Sequence, residues 1–97
     1  MHARMTRLEG PPERIDDMAR RFEEVVVPML RELDGFQGAM VLADRSRGTN
    51  IAISYWESEE AMHASEEAVS QPRKEAEAAS GARSASVTEE FEVLVQI

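Results

Sequence analysis

The chain has no cysteine, which excludes disulfides, thiolate metal sites and cysteine nucleophiles. Histidine is nearly absent. His2 and His63 are the two present, with no His-Glu-His cluster at helical or finger spacing, so no structural or catalytic metal is expected. Of eleven basic residues only Lys74 is lysine, and they form no basic stripe. With a net charge of −8 the chain is a poor partner for a phosphate backbone, and nucleic acid is not an expected partner. The arginines instead suit planar, bidentate pairing with carboxylates. No apolar run reaches membrane-spanning length, and Met1-His2-Ala3-Arg4 lacks the apolar core of a signal peptide. A soluble, cytoplasmic chain with no membrane partner is expected. At 97 residues it should form one domain, 1–97, with a small core. A chain of this size buries about 60–70% of its unfolded surface, so association into a homodimer would add burial.

Strand and helix signals alternate along the chain. Ala3 to Leu8 alternates loosely and meets Gly10-Pro11-Pro12, which stops a strand. Ile15, Met18, Phe22, Val25, Val26, Met29, Leu30 and Leu33 recur at helical spacing, with Asp16, Arg20, Arg21 and Glu24 opposite. Pro28 should kink this helix near Val25 to Val27, and Asp34-Gly35 should end it. Phe36 to Ala43 and Asn50 to Trp56 predict a hairpin with a polar tip. Ser58 is a good N-cap, and Glu59 and Glu60 place negative charge in the first turn of a second helix. Pro72 predicts a break at Ser70-Gln71 before a further helical segment that stops at Gly81. Val87 to Ile97 reads as a last strand.

The order β-α-β-β-α-β is that of an α+β, ferredoxin-like sandwich: a four-stranded antiparallel sheet with two helices on one face. Its central strands carry Ala3, Met5, Ile51, Ile53 and Tyr55, too much apolar surface for a face open to water, and sheet-to-sheet packing in a homodimer is the natural cover. In such a dimer Arg4 and Glu92 are a candidate ion pair.

Pro28-Met29-Leu30, Leu33-Asp34-Gly35-Phe36-Gln37-Gly38 and Trp56-Glu57-Ser58-Glu59-Glu60-Ala61 together resemble the antibiotic biosynthesis monooxygenase-like family of the dimeric α+β barrel superfamily. The resemblance covers nearly the whole chain. It implies a homodimer whose sheets pack into a barrel, with a pocket between each sheet and its helices. The family includes quinol-oxidising monooxygenases that work without a cofactor, haem-degrading oxygenases, and proteins of unassigned role. In the quinol oxidisers the tryptophan matching Trp56 shapes the pocket, with an asparagine four residues before it and a tyrosine six after. Ala52 and Met62 stand at those positions here, and Asn50, one pleat away, is the candidate substitute. In the haem-degrading branch an asparagine, a second tryptophan and a histidine ligand fall at Ala3, Ser65 and Glu75, with His63 the nearest histidine.

The resemblance implies Trp56 and Asn50 as catalytic residues, and Phe22, Met40, Ala52, Met62 and His63 as ligand-binding residues, with no metal and no cofactor. Each also has a plainer reading. Trp56 suits the base of a small core with its N–H on a carbonyl, Asn50 a hairpin edge, His63 a helix surface, and the methionines gap-filling core positions. One conflict concerns the third strand. Hydrophobicity turns Ile51, Ile53 and Tyr55 towards the helices, whereas the resemblance turns Asn50, Ala52, Ser54 and Trp56 there. The leading functional expectation is a monooxygenase-like protein acting without cofactor on a small aromatic or quinol-type compound. The alternative is a non-catalytic dimer of the same fold that binds a small apolar or aromatic molecule. Haem binding is the third.

Overall fold

The computed structural model describes residues 1–81 and 85–97. Strand β1 (His2–Glu9) ends at Gly10-Pro11, and a 3₁₀ turn over Pro12–Arg14 leads into helix α1 (Ile15–Arg21). A π-helical turn over Phe22–Val26 joins α1 to a short helix α2 (Val27–Leu30). Pro28 has no N–H and crowds the carbonyl of Glu24, so the ladder slips one residue and the Val27 N–H reaches back to the Phe22 carbonyl. The expected kink is thus a π turn. The regular helix stops at Leu30, earlier than Asp34. Tightened turns follow, with the Leu33 N–H on the Leu30 carbonyl at 3.0 Å, before Gly35 at φ 83° redirects the chain.

Strands β2 (Phe36–Asp44) and β3 (Thr49–Trp56) form the hairpin. Asp44 Oδ1 organises its tip by accepting from the Ser46 N–H at 3.1 Å and the Ser46 hydroxyl at 2.7 Å. The tip docks on the end of β1: the Gly10 N–H donates to the Gly48 carbonyl at 2.9 Å. Gly48, at φ 72°, is required there, because a Cβ would strike the Gly10 carbonyl.

Helix α3 (Glu59–Ala64) opens on Ser58, whose hydroxyl accepts the Ala61 N–H at 3.1 Å. The break before α4 (Glu66–Ser80) falls at Ser65, not at the expected Ser70-Gln71. The Met62 carbonyl, which would hold the next helical N–H, accepts instead from Arg4 Nη2 and from the Ser65 hydroxyl, both at 2.6 Å. Pro72 lies within α4 without ending it. Gly81, left-handed at φ 67°, ends it as expected.

Strand β4 (Val87–Glu92) is shorter than expected. Its pairing with β1 ends with Glu92 opposite His2, and the Val93 N–H donates to the Met1 carbonyl at 2.9 Å. Leu94 and Val95 stand 84% and 79% exposed. The sheet order is β2-β3-β1-β4, antiparallel throughout, which is the ferredoxin-like arrangement. Among the described residues no helix is long and apolar enough to cross a membrane.

Residues directly opposite one another in such a sheet share a face. Trp56 packs with Leu30, Met62 and Val69 in the main core, so the β3 face holding Trp56, Ser54, Ala52 and Asn50 looks towards the helices. The orientation implied by the resemblance is the observed one. Ile51, Ile53 and Tyr55 lie on the opposite face, across from Arg7, Met5 and Ala3. On β2 the face changes partway. Phe36 pairs with Trp56, but a bulge before Gly38 inserts one residue, so Met40 pairs with Ile53 on the open face and Val41 with Ala52 beneath the helices.

Candidate functional site

Arg4 organises the helix side of the sheet. It sits on β1, a central strand, is only 3% exposed, and contacts both segments of the second helical layer. Its Nη1 donates to the Ser65 hydroxyl at 2.9 Å, and its Nη2 lies 3.2 Å from Glu66. Glu90, opposite Arg4 on β4, approaches its Nε at 3.8 Å. The expected pairing with Glu92 across a dimer is therefore replaced by Glu66 and Glu90 of the same chain. Arg4 faces its own helices, and Glu92 stands opposite His2. Burial lowers the Arg4 pKa, Glu66 raises it, Arg73 lowers it and Glu90 raises it. A guanidinium stays charged through such a shift. Arg4 also stacks over Trp56, 5.9 Å from the ring centroid.

Trp56 is fully enclosed at 0% exposure. Phe36 meets it edge-on at 5.5 Å, and its Nε1 donates to the Ser54 hydroxyl at 2.9 Å, where a carbonyl was expected. The indole N–H is thereby used inside the protein.

Beside this core lies a cavity of about 110 Å³ between the sheet and the helices. Its walls are mostly apolar, with Leu8, Met18, Phe22, Leu30 and Val69 contributing, and Asn50, Ala52 and Ser54 form its β3 side. Asn50 Oδ1 is buried and accepts no hydrogen bond. Of the site residues read from the sequence, Phe22, Asn50 and Ala52 come together on this wall. Trp56 and Met62 lie behind it in the core. Met40 is turned to the open face by the β2 bulge, and its strand borders a separate groove shared with Phe22 and Val27. His63 is on the surface, its Nε2 3.1 Å from Glu90. The positions matched to the haem-degrading branch are occupied otherwise: Ala3 faces the open side with Tyr55, Ser65 holds Arg4, and Glu75 holds Arg21 at 3.1 Å.

Sequence reading placed Arg4 only in an ion pair across a dimer, and it missed Arg21 and Arg73. Arg4, Arg21 and Arg73 all reach the cavity wall from different elements. The available signal was weak: an arginine at a central strand position, and glutamates on a later helix at distances no local spacing reveals.

Glu66 ties two of these arginines together, accepting from Arg73 at 2.8 and 3.3 Å. The hydrogen bond from Arg73 is the main cause holding its carboxyl below the usual glutamate range, with the charges of Arg73, Arg4 and His63 adding and partial burial opposing. A depressed folded value means that its stabilisation is complete above about pH 4.3 and is lost as pH falls through the lower folded value. With the side chain 47% exposed, water screens the pair, and the contribution stays below about 1 kcal/mol. Glu66→Gln should accordingly lose less stability than the parent when urea midpoints at about pH 3 and pH 7 are compared. Equal losses would mean that the pair contributes nothing.

Comparison with known proteins bears on this arrangement. A family model described as antibiotic biosynthesis monooxygenase matches residues 1–70. An uncharacterized Mycobacterium tuberculosis protein is 44% identical over 69 residues, which is 71% of this chain and 31% of that protein. The chain thus spans about a third of the curated relatives it matches. Among solved structures, a Streptomyces coelicolor monooxygenase in complex with nanaomycin D superposes with a TM-score of 0.79 at 18% identity, covering 99% of this chain and 88% of that one. SnoaB, a cofactor-independent oxygenase from Streptomyces nogalater, gives 0.67 at 17% identity, with 99% and 95% covered. MhuD, a haem degrader from Mycobacterium tuberculosis with two haems bound, gives 0.68 at 22% identity, with 100% and 99% covered. At these identities the structures show a shared fold.

Proposed function

The chain belongs to the antibiotic biosynthesis monooxygenase family, and from that premise we propose that it is a monooxygenase-like protein whose cavity presents one electron-rich aromatic ring, of phenol or quinol type, to dioxygen without metal or flavin. The observation that carries this reading is a mostly apolar cavity with one unsatisfied amide oxygen, Asn50 Oδ1, on its wall. Its size limits the ligand. An apolar cavity of about 150 Å³ accepts benzene, so about 110 Å³ suits a single ring, with any larger part outside. A ring oxidised to a quinone, with one oxygen atom added from O₂ and the other released as water, supplies all four electrons itself and needs no added reductant. In this reading Asn50 accepts the ring hydroxyl. Trp56 is a positioning residue that acts through its bond to Ser54, which lines the cavity.

The second reading is a non-catalytic binding module. It is favoured by the wall itself, where the described polar side chains belong to Arg, Thr, Asn and Ser, and none is a general base near neutral pH. Haem does not fit. A cavity sized for one ring does not enclose a macrocycle of four, and no histidine lines it. For either favoured reading a cytoplasmic homodimer is the proposed setting, with Met5, Ile53, Tyr55 and the half-exposed Met40, Leu42 and Phe91 as the contact face.

Titration with monocyclic quinols, followed by Trp56 emission and an oxygen electrode, separates the readings. The expected result is a saturable emission change with oxygen uptake, weakened about tenfold in affinity by Asn50→Leu, the equivalent of one lost hydrogen bond. Saturation without uptake supports the binding module. No emission change and no binding heat with any quinol would sink both.

A further inference from the structure

Met18, Phe22, Val26 and Leu30 all line the cavity, each four residues beyond the last. An unbroken α-helix would not hold them on one line. Four residues turn such a helix by about 400°, so each step drifts by about 40°, and three steps carry Leu30 about 120° away from Met18. The π turn over Phe22–Val26 takes up one extra residue, about 100° of rotation, and cancels most of that drift. Its cause is Pro28, which is exposed and lines no part of the cavity. One residue outside the cavity thus aligns its helical wall.

Phe22 also closes the cavity on one side. Phe22 and Val41 are the residues that the cavity shares with the open groove along β2, a space of about 680 Å³ whose walls include Glu23, Arg31 and Gln37. Phe22 comes from the helical layer, and Val41 comes from the sheet, opposite Ala52 on the face beneath the helices. Between them they separate the two spaces. Phe22 is half-buried and packs against the core around Trp56, which fixes its place.

We propose that Pro28 sets the size of the ligand: through the π turn it seats Phe22 as a partition between cavity and groove, and the partition holds the cavity to a single aromatic ring. This rests on the cavity being the ligand site, and it names the residue that limits ring number and the residue that positions it. Pro28 is a positioning residue, since it lines neither space. With the partition in place, a second fused ring meets Phe22. Without it, that ring extends into the groove.

Phenol and 2-naphthol share a hydroxyl and differ by one fused ring. In calorimetric titration the parent should bind phenol about tenfold more tightly than 2-naphthol, the cost of forcing a ring into filled space. Phe22→Ala should reverse the preference, and Phe22→Leu, which keeps most of the packing, should reduce it. Pro28→Ala restores the missing N–H, lets the ladder close as an α-helix, and should largely remove the preference. A general loosening of the fold would weaken both compounds alike and leave their ratio unchanged. Ala39 lines the groove and not the cavity, so adding Ala39→Leu to Phe22→Ala should refill the groove and restore the parent's preference. If 2-naphthol binds the parent as tightly as phenol, or the ratio is unchanged in both Phe22 variants, the partition is overturned and the cavity reading stands. A ratio unchanged in Pro28→Ala overturns the assignment to Pro28. If neither compound binds, the partition and the cavity reading fall together.

Discussion

Trp56→Ala should lower the unfolding free energy by about 4 kcal/mol, the largest loss expected from a single substitution in this chain. The indole is at 0% exposure and touches every layer of the structure: the Phe36 edge from β2, Arg4 from β1, Ser54 from its own strand, and Leu30, Met62 and Val69 from the helices. Removing it opens a void that these neighbours cannot close without moving the sheet against the helices. Domains of this size have about 5–15 kcal/mol in total, so the variant would be folded but marginal. Trp56→Phe divides the effect. It keeps most of the ring contact and loses the bond to Ser54, and should recover more than half of the loss. Urea unfolding followed by far-ultraviolet circular dichroism measures both. A loss below about 2 kcal/mol for the alanine variant would mean that the core does not depend on this ring.

Arg4→Ala should cost about 3 kcal/mol, by a different route. Glu66 and Glu90 are partly exposed and regain water when the guanidinium is removed, so no buried charge is stranded. What is lost is the charged donation to Ser65 and to the Met62 carbonyl, at about 1.5–3 kcal/mol for each hydrogen bond to a charged group, and the stacking on Trp56. Arg4→Met keeps the stem against the ring and loses the donors, so the difference between the two variants isolates the packing part. Lysine should rescue poorly, because one ammonium cannot span the sites that the two ends of the fork reach. Equal stability of the Lys variant and the parent in urea would show that charge alone matters.

These two residues differ sharply in how visible they were. Trp56 was conspicuous as the single tryptophan at a strand-to-helix junction, and the adjoining Ser58 cap and the Pro28 kink both carried local signals that the structure repeats. Arg4 was read as an ion-pair residue but given the wrong partner, since Ser65 lies 61 residues away and nothing in the spacing marks it. The shift of the helix break from Ser70-Gln71 to Ser65 follows from that same long-range contact. On β3, hydrophobicity alone would have chosen the wrong face, because small and polar residues sit beneath the helices where the cavity lies. Met40 shows a further limit. Alternation counted from Phe36 places it beneath the helices, and one extra residue at the bulge reverses the parity. The last strand was overextended because Leu94 to Ile97 continue the alternation, although pairing with β1 stops at Glu92.

The outer edge of the sheet at β4 carries charge that opposes strand addition. β4 pairs only with β1, so its other side presents free backbone groups, the usual template for runaway strand addition. Its sequence places Glu89 on one face and Glu90 and Glu92 on the other. Two β4 edges brought together would crowd these carboxylates from both copies across a gap of about 5 Å on either face, where like charges directly opposed repel. These carboxylates guard this edge against fibrous association, and the apolar part of the open face is confined to the stretch around Met5, Ile53 and Tyr55.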